Sequence, residues 1–182
     1  MQRISLVEKE QAHPEIKKIF VALSDQGQEV LNIFKVMAHC PYIGRNFMRL
    51  GTAILRGEEL PANLRELAIL RVGNLAQANY EFTHHTEIGL KCGVTQKQID
   101  AIADWATSPE FNDRERAVLA YTDEVARDIK VKDDTFSKLQ RFFSEHAIVE
   151  LTTVIGFYGM VCRILVAFQI ELEAEARPPS PS

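Results

Sequence analysis

The stretch NYEFTHHTEIGLKCGV, residues 79–94, places Glu81, His84 and His85 within one helical turn of each other among apolar residues. Imidazole is the side chain whose unperturbed titration falls near neutrality, and a carboxylate one turn away can orient it and hold its cation. On a helix Glu81 and His85 lie four apart and share a face, with His84 three from Glu81 on the flank of that face. Proton transfer is the chemistry such a pair can perform. The Glu81-x-x-His84 spacing also occurs in helical di-iron sites, but those combine two such motifs with two further glutamates. No metal is expected here.

Helices must position these groups. His13-Pro14 opens one that should run to about Ser24 and close at Gly27, since proline is tolerated at the first helical position. Residues 29–39 and 41–56 read as a helical pair broken at Pro41 and stopped by Gly57. Pro61 starts the next, with Leu60, Leu64, Leu67, Arg71 and Leu75 on one stripe and Ile69, Val72 and Ala76 on another. A helix apolar on two faces belongs inside. The interruption Ala76-Gln77-Ala78-Asn79 should bend or break the chain before the 80–91 helix, which Gly93 ends. Thr95 to Gln98 forms a capping box for a short helix to Asp104, and Asn112 to Glu115 opens another carrying Val118, Tyr121, Val125 and Ile129. Asp133 is expected to cap the next helix, and the last should span about 145–173. Period-two alternation is not sustained anywhere, so the fold class is all-α. The Pro/Ser-rich end, 176–182, reads as a solvated tail.

With 182 residues and 46% hydrophobic content the chain can bury a substantial core, and a net charge of −4 leaves no basic excess for a phosphate backbone. Nucleic acid is not an expected partner. Residues 1–31 lack a charged segment followed by an apolar run, and the uncharged stretch 151–162 is too short to span a bilayer, so no membrane partner is expected either. Cys40, Cys92 and Cys162 are widely separated and odd in number, which suits free thiols and a cytoplasmic location. A weak internal likeness sets LRELAIL at 64–70 over IVELTTV at 148–154, with Glu66 over Glu150 and Cys162, Leu165 and Gln169 over Ala78, Glu81 and His85. An internally duplicated helical unit that keeps its acid–base pair only in the first half is expected.

The segment RELAILRVGNLAQANYEFTHHTEIGLKCGVTQKQIDAI, with its glutamate, two positions three apart and a histidine four later, resembles the carboxymuconolactone decarboxylase and alkylhydroperoxidase D superfamily. The pattern falls on Glu66, Ala78, Glu81 and His85. FNDRERAVLAYTDEV, DDTFSKL and VELTTVIGFYGMVCRILVAF are similar to the downstream half of its longer members, so the likeness covers roughly 30–173. It implies a single all-α domain of alkylhydroperoxidase D-like fold, with N-terminal helices over 1–58, the decarboxylase-like core over 59–110 and a degenerate second repeat over 111–175. It also implies a homo-oligomer: dimer, trimer or hexamer. In the thiol peroxidase branch the two positions three apart are both cysteine, and peroxide reduction needs that thiolate with its resolving partner. Ala78 and Glu81 stand there instead, whereas the four-residue spacing from Glu81 to His85 matches the decarboxylase branch.

The resemblance therefore implies a lyase acting on a small carboxylated, lactone-like compound, with Glu66, Glu81 and His85 as catalytic groups. His85 would deliver the proton and Glu81 orient it, while Glu66 from the preceding helix approaches the same spot, two carboxylates together favouring one protonated form. Tyr80 or Arg71 would anchor the substrate carboxylate, Arg71 by a fork matched to two oxygens, and Arg71 has the alternative of a structural ion pair with Glu66 or Glu150. A zinc on Glu81, His85 and Glu66 would lack a second histidine, so no metal and no cofactor are expected. Two alternatives stay open: an oligomeric module that binds a small acid without turning it over, and an alkylhydroperoxidase-like antioxidant protein.

Overall fold

The computed structural model describes residues 1–173. Their regular structure is wholly helical: α1 (Pro14–Asp25), α2 (Asn32–Met37), α3 (Pro41–Arg56), α4 (Ala62–Leu75), α5 (Asn79–Lys91), α6 (Gln96–Asp100), a 3-10 turn (Ile102–Asp104), α7 (Asp113–Asp128), α8 (Asp133–Gln140) and α9 (Glu145–Phe168). The expected tail over 176–182 lies outside the described residues.

The starts of the helices follow local chemistry. His13 accepts from the Glu15 N–H ahead of Pro14 in α1. Both arms of the Thr95/Gln98 and Asn112/Glu115 capping boxes are formed, each satisfying two backbone donors that a helix start leaves without partners. Elsewhere tertiary contacts override local signals. The 29–39 segment is helical only over Asn32–Met37, the segment after Thr95 breaks at Ala101 into a separate 3-10 turn, and Lys132 rather than Asp133 is the N-cap of α8. Asp133 sits inside the first turn, where its charge still faces the positive helix end.

Two compact units divide the chain, one comprising Met1–Ala53 with the segment from Ala167 onward, the other Ile54–Val166. In the first, Ile16, Phe20, Ile33, Val36, Phe47 and Met48 are buried. The segment after α9 belongs to it. Gln169 takes φ +52°, ending the expected 145–173 helix at Phe168. The released strand of chain then places the Glu173 carboxylate 2.6 Å from the Asn32 N–H, at the start of α2, and the Glu171 carbonyl 2.9 Å from the Asn32 side chain. A carboxylate on a helix N-terminus is the stabilising polarity.

The second unit is organised around α4. Every residue from Leu64 to Gly73 is buried, as its two apolar stripes predicted. α4 packs against α5, α7 and the 3-10 turn. Leu67, Ile69 and Leu70 are fully enclosed, each worth roughly 2 kcal/mol of transfer free energy, which outweighs any local propensity. Between α4 and α5 the chain reverses at Gln77, φ +52°, where the polar interruption was expected to break it. The Glu150 side chain accepts from the N–H groups of Glu58, Glu59 and Leu60 at 2.6, 3.2 and 2.7 Å, fixing the turn that leads into α4. By length and composition α9 is a helix that could cross a membrane; the side chains of Leu151, Val154, Ile155 and Tyr158 are nevertheless buried in the protein's own core.

Candidate active site

The buried α4 and the first two turns of α5 bring Glu66, Glu81 and His85 together. Glu66 is 0% exposed, Glu81 5% and His85 6%. Glu81 and His85 meet as their spacing dictates, Nε2 of the ring 3.0 Å from Glu81 Oε1. Nδ1 lies 2.6 Å from Glu66 Oε2. The other Glu66 oxygen, Oε1, accepts from Arg65 Nε at 3.1 Å. The buried cluster thus holds two carboxylates, one guanidinium and one imidazole, and it is neutral when the imidazole is charged.

Burial alone would drive the charge off His85; the hydrogen bonds and charges of Glu66 and Glu81 outweigh it and raise its pKa to about 9. At neutral pH both ring nitrogens carry protons, Nδ1–H donating to Glu66 and Nε2–H facing Glu81. The arrangement stores a proton on a buried ring with a carboxylate at each end, which is a relay.

Tyr158 and Cys162 of α9 border it. The Tyr158 ring meets His85 edge-on, centroids 4.9 Å apart at 83°. Burial, reinforced by Glu81 and Glu66, pushes the phenol above its ordinary range. Burial and then Glu81 push the Cys162 thiol up to about 12, leaving it protonated. Cys162 is buried, Cys40 exposed and Cys92 intermediate.

The two proposed anchors of a substrate carboxylate sit differently. Tyr80 is buried with its ring 4.6 Å from that of His84, which is half-buried on the α5 flank. Arg71 is committed elsewhere, with Nε and Nη2 on Asp123 at 2.6 and 2.9 Å and Nη1 on Asn74 and on the Ile102 and Ala103 carbonyls. Its partner is neither Glu66, held by Arg65 and His85, nor Glu150, held by the 58–60 turn. Arg65 and Tyr158 were not legible as site residues. Arg65 adjoins Glu66 in sequence, and Tyr158 is a hydroxyl-bearing ring within the apolar run 154–162 of α9, so each carried a faint signal.

Residues 41–124 match the family model "Carboxymuconolactone decarboxylase family". Over 80 residues the chain is 34% identical to the uncharacterized protein YnjA of Escherichia coli; the match takes in 43% of this chain and 44% of that protein, less than half of either. Among solved structures, an uncharacterized peroxidase-related protein from Ralstonia eutropha with an alkylhydroperoxidase AhpD core superposes with TM-score 0.85 at 19% identity, covering 96% of this chain and 94% of that one. The debrominase Bmp8 superposes with TM-score 0.80 at 23% identity, covering 96% and 94%. A protein of unknown function from Agrobacterium tumefaciens reaches TM-score 0.66 at 26% identity, covering 71% and 90%. Residues 41–124 thus resemble the carboxymuconolactone decarboxylase family, and the described residues have the all-helical fold of the alkylhydroperoxidase D core, with Glu66, Glu81 and His85 converging inside the matched segment.

Proposed function

We propose that the protein is a lyase of acid–base type that decarboxylates a small carboxylated, lactone-like compound. One observation carries this reading: a buried imidazole with a carboxylate on each ring nitrogen, His85 between Glu66 and Glu81. Loss of CO₂ from a carboxylate leaves an electron pair on carbon, conjugated as an enolate, and the reaction closes when a proton reaches that carbon. Glu81, taking the Nε2 proton of His85, passes it to the carbon; His85 is reprotonated through solvent, with Glu66 holding the ring in place. Arg65 in turn holds Glu66. The thiol route is disfavoured, because Ala78 and Glu81 occupy the positions where the peroxidase branch has cysteine and the Cys162 thiol beside the cluster stays protonated.

The test is a screen of small carboxylated lactones and enol acids for CO₂ release by the purified chain, followed by the same assay on His85→Gln. Turnover that survives this substitution removes His85 from the mechanism and sinks the reading, whereas no CO₂ release by the wild type from any compound favours a binding module without catalysis. We also propose a homo-oligomer, supported by the apolar side chains Val149, Met160 and Val166 that α9 leaves exposed. Light scattering of the purified protein decides it, a monomer at all concentrations being the contrary result.

A further inference from the structure

Buried hydroxyls in the second unit are hydrogen-bonded. Tyr121 Oη lies 2.8 Å from Thr152 Oγ1, and Thr122 Oγ1 donates to the Val118 carbonyl at 2.8 Å. Tyr158 departs from this pattern. Only 4% of its surface is exposed and its hydroxyl makes no hydrogen bond among the described residues; the oxygen is nonetheless not sealed in, because among the described residues Arg45 Nε alone is a fully enclosed side-chain polar atom without a partner. A hydroxyl with an open side and no partner in the protein is placed to hydrogen-bond a bound molecule, and phenylalanine would fill the same space without that capacity. The residue stands against the relay, its ring edge-on to His85 at 4.9 Å and against Phe157 at 5.4 Å.

The imidazole N–H groups and the Arg65 Nε–H are committed, while Nη1 of that guanidinium lies toward Gly57. Both N–H groups of His85 face carboxylates and the Arg65 Nε–H is spent on Glu66. Glu66 and Glu81 face that cation as acceptors. The Cys162 thiol, one turn along α9, is at most a weak donor. A decarboxylation moves negative charge off the departing carboxylate and onto the oxygen of the enolate left behind, and a donor that strengthens toward that oxygen lowers the barrier.

Resting on the decarboxylase reading above, we propose that the Tyr158 hydroxyl is a catalytic donor that hydrogen-bonds the enolate oxygen of the substrate while the Glu66–His85–Glu81 relay supplies the proton to carbon. Burial and the neighbouring carboxylates keep the phenol protonated throughout the working range, so it donates and does not compete as a base. No atom is transferred from it; the bond that breaks joins the substrate carbon to the carboxylate carbon that leaves as CO₂, its electron pair passes into the enolate, and the bond that forms is carbon–hydrogen.

Tyr158→Phe in the full chain tests the assignment by two readouts. With a substrate identified by CO₂ release, kcat should fall on the order of a hundredfold with KM little changed, as when one oxyanion donor is removed, while the melting temperature stays level or rises. A kcat within a few-fold of wild type, or a fall in activity accompanied by a fall in melting temperature, overturns the assignment. The second readout needs no turnover. Titrated with 4-nitrophenolate as a stable oxyanion, the wild type should bind about tenfold more tightly than Tyr158→Phe, the worth of a hydrogen bond to a charged acceptor. Equal binding, or none to the wild type, overturns it even if CO₂ is released; a retained difference in a protein that releases no CO₂ overturns the decarboxylase reading while keeping the donor.

Discussion

His85 Nδ1 stands 2.6 Å from Glu66 Oε2 across two helices, while Nε2 of the same ring stands 3.0 Å from Glu81 Oε1 within one. No ring nitrogen is left to accept a proton in the resting state. The histidine is therefore an acid at rest, and a base only after Glu81 has taken its Nε2 proton. Removing one member of such a buried cluster leaves the others to bear the full desolvation penalty.

The charge state sets a stability window. The pKa of His85 rises from 6.5 to about 9 on folding, so the folded state binds the proton more tightly than the unfolded chain. Its contribution is complete below pH 6.5 and lost as pH rises through about 9, amounting to on the order of 3 kcal/mol. Urea midpoints should fall between pH 7 and 9.5 in the wild type, and the fall should be largely absent in His85→Gln. A wild-type midpoint that is flat over this range would mean that His85 is not charged in the fold.

Arg71 tests the distinction between anchor and strut. Its guanidinium joins α4 to Asp123 of α7 and to the 3-10 turn, and the Trp105 indole donates to the same Asp123 at 3.3 Å. Arg71→Met should cost about 3 kcal/mol by stripping a half-buried carboxylate of its partner, with KM unchanged for whatever fraction stays folded. A raised KM at unaltered stability would restore the substrate-anchoring role.

What was legible in the sequence followed from local physics. The i, i+4 pairing of Glu81 with His85, both capping boxes and the all-round burial of α4 each depend on residues within a few positions. The end of α9 was not legible, because Glu173 leaves the helix to cap α2, a partner far away in the chain. Tyr158 escaped for the same reason, crossing to His85 from α9, whereas Arg65 escaped although Glu66 is its neighbour in sequence, because its role depends on the burial of both side chains. The weak repeat placed Glu66 over Glu150, but the first is a buried partner of a histidine and the second secures a turn of backbone N–H groups. Similar helix-forming sequence does not carry a shared function.

The thiols should be inert as a device. Cys162 is buried with its thiol pushed up to about 12, Cys92 is intermediate and Cys40 exposed. Thioredoxin- or lipoamide-coupled peroxide reduction is therefore expected to stay at background and to be indifferent to replacing all three cysteines. Mass spectrometry after brief iodoacetamide treatment should find Cys40 modified first and Cys162 only after unfolding. Robust coupled turnover abolished by any one replacement would overturn the expectation.

Glu81 and His85 should behave as one device. Each of Glu81→Gln and His85→Gln is expected to lower kcat about 10²- to 10⁴-fold, since general acid–base catalysis contributes on that scale and either change interrupts the relay. The double variant should be little worse than the worse single one, because groups that act as a unit are not additive. The two singles differ in stability. His85→Gln leaves Glu66 and Glu81 without the cation between them and should destabilise by a few kcal/mol. Glu81→Gln keeps the Glu66 contact and a neutral donor or acceptor near Nε2, so its melting loss should be smaller, and it removes one of the two charges that hold the His85 pKa up. Any residual activity of Glu81→Gln should consequently decline at lower pH than that of the wild type. Turnover and melting measured on the same three variants decide the matter: additive losses in kcat, or full activity alongside reduced stability, would mark Glu81–His85 as a structural pair.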